Sequence, residues 1–258
     1  MKVWITGASS GIGEACAYEY AAQGACLVLT ASSADRLQRV ADGCMRIGAG
    51  GAVVLPFDLQ DASGIDALCQ QAWEAFSGLD ILFCNAGVSQ RTRIEDTSME
   101  TIRKIMEINF FAPVAISKAI LPLMLSQGGG KIAVTSSIAG RFGFPLRCGY
   151  SSSKFALYGF FETLAAEHRE IDVTMVCPGR VQTNISMNAL VEGGARYGKM
   201  DPGQADGLDV KTAARRITRA ISKGKREVLV GRKELLMVYI KRFFPGLCSR
   251  LARKLKPV

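Results

Sequence analysis

Tyr150 and Lys154 stand four residues apart in Tyr150-Ser151-Ser152-Ser153-Lys154, thirteen residues beyond the serine pair Ser136-Ser137. On a helix, positions i and i+4 share one face, one turn apart. A phenol and an ammonium held there form a proton-transfer device. The cation stabilises the phenolate and draws the phenol down from about 10 toward neutral pH. A nearby serine hydroxyl can hold the carbonyl or hydroxyl oxygen that receives or gives up the proton. Tyr-x-x-x-Lys alone is a weak pattern, because surface helices carry it by chance. Its weight depends on the elements that position it.

Short apolar runs alternate with longer periodic segments along the chain, the pattern of βα repeats. Strands are expected near 2–6, 26–30, 52–56, 80–84, 131–136, 172–177 and 227–231, and helices near 12–23, 34–47, 63–76, 99–126, 150–169 and 210–223. This alternation predicts a single α/β domain with a Rossmann-type, doubly wound, seven-stranded parallel sheet and helices on both faces. The stretch 184–206 is rich in Gly and Met with weak periodicity, and reads as a substrate lid or an ordinary surface loop.

Directly after the first strand comes Thr6-Gly7-Ala8-Ser9-Ser10-Gly11-Ile12-Gly13. Glycines there let backbone amides approach a pyrophosphate, and the following helix presents its positive N-terminus. A glycine turn between a first strand and a first helix points to a dinucleotide. The second strand ends in Ala31-Ser32-Ser33-Ala34-Asp35-Arg36. No carboxylate stands at the strand end to take a ribose 2′-hydroxyl, and Ser32 and Ser33 can donate to a 2′-phosphate, so NADP(H) is favoured over NAD(H). Ser33 or Asp35 can equally cap the next helix. Asp58-Leu59 follows the third strand, where the carboxylate can accept from an adenine amino group or cap a helix. Asn85-Ala86-Gly87 follows the fourth, where small residues let the chain pass close to a cofactor.

These residues together resemble the classical short-chain dehydrogenase/reductase family, over roughly residues 2–185. The resemblance lies in Thr6-Gly7-x-x-x-Gly11-x-Gly13, Asp58, Asn85-Ala86-Gly87, Asn109, Ser137, Tyr150-x-x-x-Lys154 and Pro178-Gly179, in one register. The stretches around Ser137 and Tyr150 look closest to the hydroxysteroid-dehydrogenase-like and carbonyl-reductase-like branch. The family's spacing selects Ser137 over Ser136. The resemblance implies that Ser137 binds the substrate oxygen and that Tyr150 is general acid in reduction and general base in oxidation. It implies that Lys154 binds the nicotinamide ribose and lowers the Tyr150 pKa, and that Asn109 holds a water linking Lys154 to solvent. Thr183 would hold the nicotinamide carboxamide, with Pro178, Gly179 and Val181 beside it. Cys84 stands where many members have a second Asn, which puts a structural hydrogen bond in doubt. A catalytically silent cofactor-binding protein on the same fold is the alternative, and the loss of Tyr or Lys that would favour it has not occurred. An epimerase or dehydratase of the extended family is remote.

Loops beyond the strand ends supply substrate contacts in such folds. Phe142, Phe144, Leu146, Met187, Leu190 and Tyr197 are the candidates and suit an apolar ketone or alcohol. A homodimer or homotetramer comes with the family.

Charge is divided along the chain. Residues 1–210 carry 17 Lys/Arg against 21 Asp/Glu, while residues 211–258 carry 15 against 2. The basic end reads as a solvated helix face or as a contact for an anionic membrane surface, and no nucleic-acid motif accompanies it. Residues 1–231 are expected to form the catalytic domain and 232–258 a basic amphipathic extension. In that extension Leu236, Ile240, Phe243, Leu247, Leu251 and Leu255 keep helical spacing among basic residues. Such a segment fits a membrane interface, a partner surface or the pocket mouth. Eight cysteines without a C-x-x-C pair and a single histidine, His168, argue against a metal site and fit a reducing cytosol. His168 is read as non-catalytic. No signal peptide or membrane-spanning run is expected, so the location reads as cytoplasmic, with peripheral membrane contact through 232–258.

Overall fold

A computed structural model describes residues 1–255. The last three residues of the expected extension lie outside that range. Seven strands form one parallel sheet: β1 (Lys2–Thr6), β2 (Cys26–Ala31), β3 (Gly51–Pro56), β4 (Ile81–Cys84), β5 (Gly130–Thr135), β6 (Ile171–Pro178) and β7 (Glu227–Val230). Their spatial order is β3-β2-β1-β4-β5-β6-β7. Ten helices accompany them among the described residues: α1 (Gly11–Ala21), α2 (Ala34–Ile47), α3 (Ile65–Glu74), α4 (Met99–Met106), α5 (Ala112–Ser126), α6 (Cys148–Glu167), α7 (Pro202–Ala205), α8 (Val210–Ser222), α9 (Leu236–Phe243) and α10 (Pro245–Ala252).

The inner strands read as unbroken apolar runs because both faces of the sheet are covered. Alternation along β1 sends Val3 and Ile5 toward α1, α2 and α8, where Leu37, Val40, Ile217 and Ile221 pack. Trp4 points to the other face, into a core with Leu82, Ile116, Ile120, Leu157 and Phe161. Its indole N–H donates to Thr30 Oγ1 at 3.0 Å, so the buried polar atom is paired. Strand order reverses between β1 and β4, which opens a crevice beyond their C-terminal ends. The glycine turn and Asn85-Ala86-Gly87 both lie there.

The expected fourth helix runs continuously from Met99 to Ser126. It is not α-helical throughout: Glu107–Phe111 forms a π-helical turn between α4 and α5. Pro113 is the residue whose N–H would close the ordinary helical bond to the Asn109 carbonyl, and proline has none. The ladder loosens there, as π turns do at functional positions. An 18-residue stretch of this helix has a mean hydropathy of 1.7, and the helix is long and apolar enough to cross a membrane, which corrects the expectation that no such segment exists. One face of it packs in the core, with Ile116, Ile120 and Met124 fully buried, while Phe111 stands exposed.

The C-terminal extension docks on the catalytic side. Met237, Val238, Ile240, Cys248 and Leu255 pack against Ile138, Phe142 and Cys177. Leu236, Tyr239, Phe243, Phe244 and Leu247 remain exposed. The apolar stripe therefore divides between a face on the protein and a face on solvent.

Candidate active site

Tyr150 and Lys154 sit in the first two turns of α6, both buried. Ser137 precedes a short 3-10 turn at the end of β5, and Asn109 comes from the π turn. The Lys154 ammonium donates to the Thr135 carbonyl at 2.7 Å and stands 5.8 Å from the centre of the Tyr150 ring. A Cβ placed on Gly87 would lie 3.3 Å from Lys154 Nζ and 3.1 Å from Asn109 Oδ1. The fourth-strand loop, the lysine and the asparagine therefore meet at one point.

The two serines have different partners. Ser136 Oγ donates to the Lys154 carbonyl at 3.0 Å, a structural tie inside the protein. Ser137 Oγ accepts from the Ala139 amide at 3.1 Å, donates weakly to the Pro178 carbonyl at 3.4 Å, and faces the Tyr150 phenol. The Asn109 carboxamide is bonded at both its oxygen and its nitrogen. Its oxygen accepts from the Val88 amide at 2.8 Å, and its nitrogen donates to the Val88 carbonyl at 2.9 Å and to Ser153 Oγ at 3.0 Å. Pro113 takes the ordinary helical donor away from the main-chain carbonyl of Asn109, which makes that carbonyl a candidate to hold a water.

Electrostatics here differ from the simple lysine-phenolate picture. Burial is the largest influence on Tyr150 and pushes its phenol up; Ser137 and the guanidiniums of Arg147 and Arg91 act in the opposite direction. Burial also pulls the Lys154 ammonium down to about 7. A low-dielectric site disfavours both charged forms. Ser137 and the two guanidiniums, rather than Lys154, are the groups that oppose the effect of burial on the phenol.

The residues on the nucleotide side fit a dinucleotide. Gly7 and Gly11 have φ of +66° and +60°, a region that favours glycine. A Cβ on Gly7 would come within 2.7 Å of Ala86 Cα, and one on Gly13 within 2.3 Å of the Gly7 carbonyl oxygen, so loop and helix close tightly. Ser10 occupies the N-cap of α1 without a side-chain cap bond, leaving the first-turn amides open to an anion. Ser9 and Ile12 flank these positions. Ser33 holds the N-cap of α2 but makes no side-chain cap bond, and Ser32 beside it is exposed. Asp58 is exposed, folds over Gln60, and does not cap the following turn; Asp61 does that. Leu59 is buried beside it. Thr183 lies against the glycine loop, where a Cβ on Gly11 would be 3.2 Å from its methyl. Val181 is buried, and Gly179 follows Pro178 at the end of β6. Asn85 also braces the sheet. It bonds the Thr6 and Gly7 carbonyls and accepts from Thr135 Oγ1 at 3.2 Å, tying β1 to β5.

On the substrate side, Phe142 is 3% exposed and packs under the C-terminal extension, so it is core rather than pocket lining. The 184–206 stretch is strapped down. Leu190 exchanges backbone bonds with Ser89 and Arg91, and Ser186, Ala189 and Asp201 are buried. Asp201 accepts from Arg91 Nε at 3.1 Å and from Arg91 Nη2, and meets Arg147 Nη2 at 3.5 Å. Arg147 also stacks on Phe144 at 4.4 Å, while its Nε is buried without a partner. Two guanidiniums thus share one carboxylate beside Tyr150. No motif pointed to this cluster, because its members are scattered along the chain and each reads singly as a surface charge.

The family model described as short chain dehydrogenase matches residues 1–192. A mouse protein named dehydrogenase/reductase SDR family member 7B is 39% identical over 255 residues, covering 96% of this chain and 79% of its own length. A short-chain dehydrogenase/reductase from Burkholderia phymatum, solved in complex with NAD, superposes with a TM-score of 0.84 at 26% identity, over 95% of this chain and 94% of its own. An alcohol dehydrogenase from Thermococcus sibiricus, complexed with 5-hydroxy-NADP, gives 0.78 at 28% identity, over 90% and 96%.

Proposed function

Because this chain belongs to the short chain dehydrogenase family, we propose that it is an NADP(H)-preferring oxidoreductase interconverting an apolar ketone and its secondary alcohol. The observation that carries this reading is the meeting of Lys154 and Asn109 at Gly87, with the Tyr150 ring 5.8 Å from the Lys154 ammonium and its phenol facing Ser137. Nicotinamide supplies or takes the hydride when bound. The chain's own residues hold and protonate. The Gly7–Gly13 loop and the open N-terminus of α1 hold the pyrophosphate, and Asp58 and Leu59 border the adenine. Ser32 and Ser33 donate to a 2′-phosphate, with no carboxylate at the end of β2 to repel it. Val181, Thr183, Pro178 and Gly179 border the nicotinamide, and Lys154 takes its ribose. Ser137 holds the substrate oxygen while Tyr150 gives it a proton in reduction and removes one in oxidation. Asn109 holds a water on its main-chain carbonyl, refilling the proton through Lys154.

A panel of ketones and diketones, run with NADPH and NADH in parallel, tests the reading. Turnover is expected with kcat/KM about tenfold or more higher for NADPH, the worth of one charge-assisted hydrogen-bond set. No cofactor oxidation with any carbonyl would overturn it.

Exposed Phe111 and Phe155, on adjoining helices, suit self-association as a homodimer or homotetramer. Leu236, Tyr239, Phe243, Phe244 and Leu247, exposed beside Lys241, Arg242 and Arg250, support peripheral contact with an anionic membrane by an otherwise cytoplasmic protein. Liposome flotation is expected to carry the parent protein upward and to leave a Phe243→Glu/Phe244→Glu variant in the soluble fraction. Equal recovery of both would remove the membrane from the account.

A further inference from the structure

The N-terminus of α6 has no local cap. Its N-cap residue, Arg147, makes no side-chain cap bond, and a guanidinium has only donors. The first-turn amides require acceptors. The acceptor comes from 59 residues earlier in the chain. Gln90 Oε1 accepts from the Gly149 amide at 2.8 Å and from the Tyr150 amide at 3.3 Å. The nitrogen of the same carboxamide donates to Thr97 Oγ1 at 2.8 Å and to Cys148 Sγ at 3.3 Å. Gln90 is wholly buried, and a Cβ on Gly149 would come within 3.2 Å of its Oε1. Glycine at 149 thus leaves the carboxamide its seat.

Gln90 is itself held from both sides. The Leu190 amide donates to the Ser89 carbonyl at 2.9 Å, the Arg91 amide to the Leu190 carbonyl at 2.8 Å, and the Thr92 amide to the Leu146 carbonyl at 3.1 Å. The last of these ties the segment 89–92, the strap that carries Gln90, to the chain leading into α6.

We propose that Gln90 is a positioning residue for the reaction: its carboxamide, seated on the first turn of α6, sets where Tyr150 presents its hydroxyl. The proposal rests on the oxidoreductase reading above. One of the two bound amides is that of Tyr150 itself. Without the acceptor, the first turn frays and the phenol shifts. Lys154 lies one turn further in, tied to Thr135, and keeps its place. Proton transfer then suffers while cofactor binding does not. A displacement of about 1 Å at a reacting group can cost about a hundredfold in rate.

The charged and titratable groups around Tyr150 are Arg147 at the helix start, Arg91 on the strap, Lys154 one turn on and Cys177 on β6, with Asp201 between the guanidiniums. Gln90→Glu keeps the acceptor at a helix N-terminus, where a negative charge is favoured. It also adds a carboxylate to this set, which raises the phenol further.

The test compares the parent chain, Gln90→Leu and Gln90→Glu by kcat, NADPH dissociation constant, pH–rate profile and amide exchange over residues 149–151. In Gln90→Leu, kcat is expected to fall about tenfold to a hundredfold with NADPH affinity within about twofold, and the amides to exchange about tenfold faster. Gln90→Glu is expected to protect the amides and recover kcat to within about threefold, with the Tyr150 limb moved to higher pH. Unchanged kcat in a folded Gln90→Leu, or unchanged amide exchange, would overturn the proposal. If Gln90→Leu does not fold, Gln90→Glu decides by whether the limb moves. A parent protein with no turnover would instead overturn the oxidoreductase reading, leaving the exchange arm to judge the cap.

Discussion

Replacing Tyr150 by phenylalanine is expected to lower kcat by about a hundredfold to ten-thousandfold, with NADPH affinity within about twofold of the parent. The ring is 6% exposed and keeps its packing without the hydroxyl. Ser137 retains the Ala139 amide and the Pro178 carbonyl as partners, so no buried group is orphaned and stability changes by about 1 kcal/mol or less. Only the proton donor is lost. The pH dependence follows from the electrostatics of the site. Burial holds the phenol neutral through the neutral range, so it is ready to donate in reduction, and that rate holds as pH rises. Oxidation needs the phenolate, so its rate climbs with pH. Tyr150→Phe removes that climb. A residual limb near pH 7 would belong to Lys154, whose ammonium burial pulls down to about 7. Stopped-flow or steady-state rates in both directions, together with NADPH fluorescence titration, provide the check. Parent-like turnover in Tyr150→Phe would remove the phenol from the mechanism.

The backbone plan and the nucleotide side were legible because local chemistry dictates them. Lys2–Thr6 and Cys26–Ala31 are apolar runs that only a two-sided sheet can bury, and the glycine turn stands between a strand and a helix, where its φ values require it. The spacing of Tyr150 and Lys154 fixed their common helix face. It did not fix their protonation, because burial is a property of the whole fold and spacing carries no measure of it. The π turn had a visible signal in Pro113, four residues past Asn109, that periodicity alone passes over. The sequence places Phe142 at the pocket because a loop after a strand end borders it, but α9 and α10 return across the chain and cover that ring. Asp201 and Arg91 lie 110 positions apart, in segments without periodicity. Nothing local distinguishes them from solvated charges, and only the folded chain pairs them.

That pair carries the largest expected effect on stability. Arg91 and Asp201 have side chains only 2% and 7% exposed, and Arg147 meets the same carboxylate. Asp201→Ala leaves two guanidiniums facing each other, Arg91 buried and Arg147 only partly reached by water. Removing one partner of a buried pair costs about 3–5 kcal/mol, mostly as the uncompensated charge left behind. For a domain of this size that corresponds to a fall in Tm of about 10 °C. Asp201 also holds the 184–206 stretch against the strap that carries Gln90, so kcat should fall with stability. Asp201→Asn keeps the shape and part of the bonding without the charge, and should fall between. The double variant Arg91→Met/Asp201→Leu separates the explanations. If the cost lies in the stranded charge, the apolar pair recovers most of the stability, as replacement of buried ion pairs commonly does. Calorimetric melting of the four proteins is the measurement. A loss below about 1 kcal/mol in Asp201→Ala would mean that the guanidiniums find other partners and that the ion pair is not what fastens the stretch.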